Sequence, residues 1–303
     1  MGAGHSHGRP SGHAGGRYRA RLGGAFALTA AFFGVELVAG LVSGSLALLS
    51  DAGHMGADVV ALGAALLATV VATRPDASGR RTFGRYRVEI FASGLAVLIM
   101  LGMGVYVLIE AVGRLGSDSS VDAGTMLVVG ALGLVVNVIS LLLLRSGSDE
   151  SLAVRGAYLE VLADAAGSVG VIVAALLMRA TGSTVWDLMV AVAIAVFIVV
   201  RAVVLGRQVV AVLAQHAPVG VDPVEVEAQL GALRDVEEVH DLHLWTLTSG
   251  MDVGTVHLVV DPVADHSEVL GEARRVLLEE HGIEHVTVQI ETAGVVGCRE
   301  LGW

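Results

Sequence analysis

Apolar positions in this chain gather into six long blocks, at residues 22–42, 45–71, 88–115, 122–144, 152–180 and 185–205. A bilayer's hydrocarbon core is about 30 Å thick and needs about 20 mostly apolar residues per spanning helix. Each block therefore predicts one transmembrane helix. The first follows an arginine-rich stretch and superficially resembles a signal peptide. It is too long for an apolar signal core and five further blocks follow, so it reads as a retained helix. From about residue 208 the pattern shortens. Residues 222–233 read as a helix and 239–247 as a strand, and a Ser249-Gly250 turn leads to a second strand at 252–260. A helix at 265–281 and a strand at 283–290 complete an αββαβ unit, with one sheet face covered by helices and the other free for a partner.

The predicted fold is thus an α-helical membrane protein of six transmembrane helices, followed by a small α+β domain of ferredoxin-like, metallochaperone-like form. Three segments result: a flexible, His-containing leader at 1–21, a membrane domain at 22–207, and a soluble domain at 208–303. Composition agrees. Hydrophobic residues make up 54% of the chain and mean hydropathy is +0.72, while only 16% is charged, against roughly 25% in an average soluble domain. The 39 glycines sit largely inside apolar runs, where close helix–helix approach in lipid accommodates them.

Charge sets orientation and excludes partners. Arginines cluster before the first block (Arg9, Arg17, Arg19, Arg21), between the second and third (Arg74, Arg80, Arg81, Arg85, Arg87) and between the fourth and fifth (Arg145, Arg155). The opposite loops are short and carry Arg114 and Arg179 near their ends. By the positive-inside rule both termini are cytoplasmic. The last 96 residues hold 17 acidic and 4 basic side chains; that acidity argues against nucleic acid and against docking on anionic lipid. The arginines before the third block suit lipid phosphate or an acidic tail. The lone cysteine, Cys298, allows neither an intrachain disulfide nor a CxxC zinc motif. No HExxH or GxxxxGK[ST] pattern occurs, so an enzyme is not expected.

Ionisable groups at membrane depth are costly and are functional candidates by default. The second block holds Asp51, His54 and Asp58; the fifth holds Glu160 and Asp164. His54 and Asp58 are four apart, as are Glu160 and Asp164, so each pair shares a helix face. Two such helices face to face converge four O or N ligands on one point, which suits a tetrahedral divalent cation. A single His or Asp in an apolar helix often just bonds to a neighbouring helix. Three carboxylates brought together without a cation or protons would instead repel one another. Asp51, one turn from His54, is placed to orient that ring from behind. Glu36 and Glu110 read as structural or interfacial groups, and Asn137 as a helix–helix hydrogen bond.

These residues resemble the cation diffusion facilitator family, in its zinc-exporting bacterial branch. The resemblance runs from the first block to the last strand. It rests on Gly44-Ser45-Leu46-Ala47-Leu48-Leu49-Ser50-Asp51-Ala52-Gly53-His54 with Asp58, and on Phe83-Gly84-Arg85-Tyr86-Arg87-Val88-Glu89. It rests also on Ala157-Tyr158-Leu159-Glu160-Val161-Leu162-Ala163-Asp164 and on His240-Asp241-Leu242-His243-Leu244-Trp245. It implies a homodimer that exchanges cytoplasmic metal for protons across the membrane through His54, Asp58, Glu160 and Asp164; the composition suits a bacterium, and so a plasma (inner) membrane is expected. Zinc exporters of the family usually carry His where this chain has Glu160. With a divalent ion the site is formally left at −1. Zn²⁺ is the expected cargo, with Co²⁺, Cd²⁺, Fe²⁺ or Mn²⁺ as alternatives; an extra oxygen ligand would favour the harder Mn²⁺, Fe²⁺ or Co²⁺.

In the tail, His240 and His257 lie at roughly matching distances from the Ser249-Gly250 turn and can face each other across the hairpin. The resemblance implies a second metal site there, at His240, His257, His266 and Glu291, with Zn²⁺ its expected ligand and dimerisation its consequence. A further histidine position of some members is Gln289 here. His243, His281 and His285 read as surface residues. The leader's His5, His7 and His13 suit either metal delivery or a plain flexible segment. The rival reading is a membrane-anchored metal sensor that does not transport; a sensor has no need of ligands at bilayer depth.

Overall fold

The structure is a computed structural model that describes residues 14–71, 82–116, 120–145 and 152–292; the side chains at 14–23, 25, 61–62, 64–71, 143–145, 152–157, 159 and 160 lie outside that description. The chain divides into two compact units, one ending at Gly206 and the other starting at Arg207.

Six long helices carry the first unit: α1 Ala14–Ser43, α2 Leu46–Val71, α3 Val88–Arg114, α4 Ala123–Arg145, α5 Leu152–Thr181 and α6 Val185–Leu213. Among the described residues, five stretches are long and apolar enough to cross a membrane, one each in α1, α3, α4, α5 and α6. The sixth expected span coincides with α2, much of whose second half has undescribed side chains. At 1.5 Å per residue, a 27-residue helix such as α3 is about 40 Å long, enough to cross the hydrocarbon core with some tilt.

The packing is that of a lipid-solvated bundle. Large apolar side chains such as Leu41, Val42, Ile109, Val112 and Leu142 point outward, while Ala47, Ala52, Ala174, Ala175, Ala191 and Ala195 are fully enclosed. In water this arrangement would waste apolar burial. In lipid, association depends on close van der Waals contact between small residues. The chain forms a multi-pass membrane protein.

Several polar groups in this unit find partners on other helices. The first N–H groups of any helix lack intrahelical acceptors, and lipid offers none. At α2 they are met by Asp187 from the first turn of α6. Leu46 N–H donates to its Oδ2 at 2.9 Å and Ala47 N–H to Oδ1 at 3.1 Å, while the Ser45 hydroxyl donates to Oδ1 at 2.6 Å. Asp187 is 2% exposed, so a negative charge sits enclosed at the positive end of the α2 dipole. Gly44, at φ +70°, makes the turn between α1 and α2, and its carbonyl accepts from Arg114 Nη1 at 2.6 Å. Arg114 also pairs with Glu110 one turn back. Asn137 Nδ2 donates to Ser168 Oγ at 3.3 Å, joining α4 to α5.

The second unit contains α7 Pro223–Gly231, β1 Val236–Thr248, β2 Met251–Val260, α8 His266–Arg275 and β3 His285–Thr292. The expected αββαβ order is present. Asp222 and Asp265 cap α7 and α8 through their side chains, as their positions before the helices suggest. The expected helix at 265–281 is shorter in regular form, because one π turn, Val276–Glu280, follows α8. In the sheet, β2 is central: it pairs antiparallel with β1 and parallel with β3, which returns through α8. Val226, Leu230, Val256, Leu258, Val269, Leu277 and Ile283 form the core.

Asp187→Ala leaves two or three buried donors of the α2 terminus unmet. A lost cap and unsatisfied buried N–H groups together cost about 2 kcal/mol or more. Thermal melting of the purified protein in detergent should fall clearly for Asp187→Ala and less for Asp187→Asn, which keeps one acceptor oxygen. Unchanged melting would contradict the clamp.

Candidate metal centres

Helical periodicity brings the first group together. His54 and Asp58 project from one face of α2, and Asp164 meets them from α5. His54 Nε2 lies 3.0 Å from Asp164 Oδ1 and 3.6 Å from Asp58 Oδ2. His54 is 3% exposed, and its Nδ1 has no hydrogen-bond partner among the described residues. Ligand atoms of these three residues all lie within 4.8 Å of one another, close enough for one ion. Glu160 lies on α5 one turn before Asp164, and its side chain is outside the description.

Two further residues bear on this group. Arg201 of α6 places Nη1 2.9 Å from His54 Nε2 and Nη2 3.7 Å from Asp58 Oδ1. Sequence reading passed it over while counting loop arginines; the available signal was an arginine inside an otherwise apolar block. Asp187 was missed for a similar reason, as an acid at the edge of that block. Asp51, expected behind His54, is 5% exposed. No described hydrogen bond joins it to His54. A Cβ on Gly167 would sit 3.3 Å from Asp51 Oδ1, so α5 approaches Asp51 closely at a residue without a side chain.

The second group is built by strand pairing. His240 of β1 and His257 of β2 are direct cross-strand partners, with ring centroids 5.3 Å apart. Glu291 on β3 reaches both: Oε1 is 3.2 Å from His257 Nδ1 and Oε2 is 3.6 Å from His240 Nε2. These side chains are 10–15% exposed. Both ring nitrogens of His240 and Nδ1 of His257 are buried without a hydrogen-bond partner among the described residues. Buried polar atoms are nearly always satisfied, so three orphaned imidazole nitrogens beside a carboxylate fit a divalent cation. Asp241, in a left-handed conformation at φ +53° on a β1 irregularity, directs its carboxylate toward His243 at 2.9 Å and His257 at 3.6 Å.

Three of the four expected tail residues are thus gathered. His266 stands exposed at the start of α8 and is not among them. Gln289 donates to Glu291 Oε1 at 2.7 Å. Of the histidines read as surface residues, His243 and His285 are exposed, while His281 is partly buried with Nε2 2.7 Å from Gln229 Oε1. His5, His7 and His13, and Arg74, Arg80 and Arg81, lie outside the described residues.

Two family descriptions match this chain: "cation efflux transmembrane domain" over residues 24–214, and "cation efflux protein, cytoplasmic domain" over residues 218–293. The chain belongs to the cation efflux family, the cation diffusion facilitators. It is a membrane transporter and not an enzyme, and divalent metal cation efflux is the activity this membership carries. Among its relatives is the metal cation efflux system protein CzcD of Cupriavidus metallidurans, 45% identical over 97% of this chain and 91% of the relative. The zinc transporter ZitB of Escherichia coli is 37% identical, covering 95% and 92%. The cadmium, cobalt and zinc/H(+)-K(+) antiporter of Bacillus subtilis is 33% identical, covering 88% and 87%. The solved metal-bound C-terminal domain of a CzcD transporter is 46% identical and covers 23% of this chain and 99% of its own, with a TM-score of 0.23.

Close packing beside His54 can be tested. A Cβ on Gly53 would lie 2.0 Å from Met103 Cγ and 2.9 Å from its Cβ, near the root of that side chain. Gly53→Ala should therefore push α2 and α3 apart and cost about 1–3 kcal/mol, as overpacking does. Met103→Ala in the same chain should recover most of the loss in a melting assay. If Gly53→Ala melts like the unaltered protein, the helices are not in this contact.

Proposed function

We propose that this protein exports divalent transition-metal ions from the cytoplasm, Zn²⁺ foremost, in exchange for protons. The observation that carries the reading is the convergence of His54, Asp58 and Asp164 from two helices of a membrane-embedded unit, with Glu160 one turn along α5. A lone buried His has a bland explanation in helix packing. A histidine and two carboxylates with ligand atoms inside a 4.8 Å sphere fit an ion better.

The mechanism follows from competition between metal and protons for the same atoms. Ligands must be deprotonated to bind a cation, so loading releases protons and protonation expels the ion. Facing a near-neutral cytoplasm, His54 and the carboxylates take up the cargo. Turned toward the opposite side, they give it up as protons arrive. The close α2–α3 contact at Gly53 and the α5 approach at Gly167 suit helices that slide as the site changes sides. Zinc is favoured because His54 supplies a nitrogen donor and because relatives named for zinc transport match over most of the chain. The third carboxylate, Glu160, pulls toward harder ions. Proton exchange draws support from the B. subtilis relative, whose name includes H(+).

In the second unit His240, His257 and Glu291, with His266 a further candidate, would hold a divalent ion of the same kind. Filling that site binds one arrangement of a homodimer more tightly and so favours it. The arginine distribution supports an orientation with both termini in the cytoplasm, and a composition that suits a bacterium supports the plasma (inner) membrane.

Flux of Zn²⁺ into proteoliposomes under an imposed pH gradient tests the reading. The unaltered protein should move Zn²⁺ against a counterflow of protons, and Asp164→Ala should reduce flux to background. Glu160→His should retain Zn²⁺ flux while lowering any Mn²⁺ flux. Tail binding with no flux under any gradient would replace the transporter by the sensor. His257→Ala should weaken the tail's Zn²⁺ affinity by at least about tenfold, read as a change in bound Zn²⁺ per chain; unchanged binding would remove His257 from the ligand set.

A further inference from the structure

We infer that Arg201 is an internal competitor for the cargo: it occupies the ligands His54 and Asp58 when no metal is there, leaves them on loading, and keeps binding weak enough for release. This inference rests on the transport-site reading above.

The geometry around one atom makes the case. A neutral imidazole nitrogen either carries one hydrogen or offers one lone pair. His54 Nε2 has Arg201 Nη1 at 2.9 Å and Asp164 Oδ1 at 3.0 Å. If Nε2 accepts from the guanidinium, the Asp164 oxygen faces a lone pair. If Nε2 donates to Asp164, two N–H groups face each other. The structure leaves Asp164 Oδ1 without a hydrogen-bond partner, in keeping with the first arrangement. The lone pair the arginine engages is the one a metal needs, so the two cannot be held together.

Position and charge support the same role. Arg201 lies in α6, where neighbouring Ile198 and Ala202 are fully enclosed, and its side chain is 28% exposed. Arginine stays ionised at any physiological pH, and its fork can reach two partners at once. Its second nitrogen reaches Asp58 Oδ1 at 3.7 Å. When ionised, Asp58, Glu160 and Asp164 carry three negative charges. A divalent cargo cancels two, and the guanidinium the third. Arg201 thus brings one positive charge to this set from a neighbouring helix. That charge repels an incoming dication, and the side chain is on hand to retake His54 and Asp58 as the ion departs.

The test uses the full chain with His240→Ala and His257→Ala, so that tail binding does not obscure the membrane site. Zn²⁺ Kd is measured in detergent and flux in proteoliposomes, for Arg201, Arg201→Lys and Arg201→Gln. Removing the charge should lower Kd by about tenfold or more, given unit charges a few ångströms apart in a partly dry site. Saturated flux should fall at the same time, because release slows. Arg201→Lys keeps the charge but cannot span both partners, so its Kd should fall between the other two. If Arg201→Gln does not fold, a Lys Kd below the Arg value still supports the competitor role. Kd values equal within twofold across the series, or weaker binding without the arginine, would overturn it. If the protein with Arg201 intact binds no Zn²⁺ there, the transport-site reading fails and the inference falls with it.

Discussion

Charge inside a low-dielectric membrane has to be cancelled by other protein groups, and this constraint organises the first unit. An Asp, Lys or Arg at the centre of a spanning helix costs about 2.5–3.5 kcal/mol even on lenient insertion scales. The polar groups of the bundle are accordingly shared between helices. Asp187 of α6 closes the N-terminus of α2, and Arg114 of α3 holds the carbonyl of Gly44. Asn137 of α4 meets Ser168 of α5. The same bookkeeping brings His54, Asp58, Asp164 and Arg201 from three helices to one place. That last group differs from the others in being over-supplied: more partners converge on His54 Nε2 than one nitrogen can serve. A constellation poised in that way accommodates an arriving cation readily, whereas Asp187 and its three donors are already satisfied.

The two candidate centres show how secondary structure sets what a site can do. In α2 the i,i+4 spacing sets His54 and Asp58 on one face, and Asp164 meets them from α5. In the tail, cross-strand pairing of His240 with His257 and the parallel neighbour β3 carrying Glu291 fix the ligands in a sheet. A sheet is the stiffer frame. It suits a site that holds an ion and reports it, while the helical site suits one that loads and unloads.

Much of this was legible in the sequence because it rests on local periodicity. Six apolar blocks, the αββαβ order, and the pairs His54/Asp58 and Glu160/Asp164 need only spacing to be seen. Counting outward from the Ser249-Gly250 turn brings His240 only to within two residues of His257, and irregularities in the β1–β2 register close that gap. What stayed hidden depends on tertiary placement. Nothing in the α6 block says which way Arg201 turns, so it passed as an incidental charge until α2 was packed against it. Asp187 gave no local sign that its partners lie more than a hundred residues away at Ser45, Leu46 and Ala47. Asp51 was assigned by helical spacing to His54; spacing along α2 does not show that α5 comes close to its carboxylate at Gly167.

The central claim is that cargo binds between α2 and α5 through one imidazole and three carboxylates. Zinc K-edge X-ray absorption tests it most directly, on the full chain loaded with one equivalent of Zn²⁺ after His240 and His257 are both changed to Ala. The account predicts a four-coordinate ion with one nitrogen and three oxygen neighbours at about 2.0–2.2 Å, and loss of the nitrogen shell in His54→Ala. A shell of water oxygens alone, or a nitrogen that persists without His54, would contradict it.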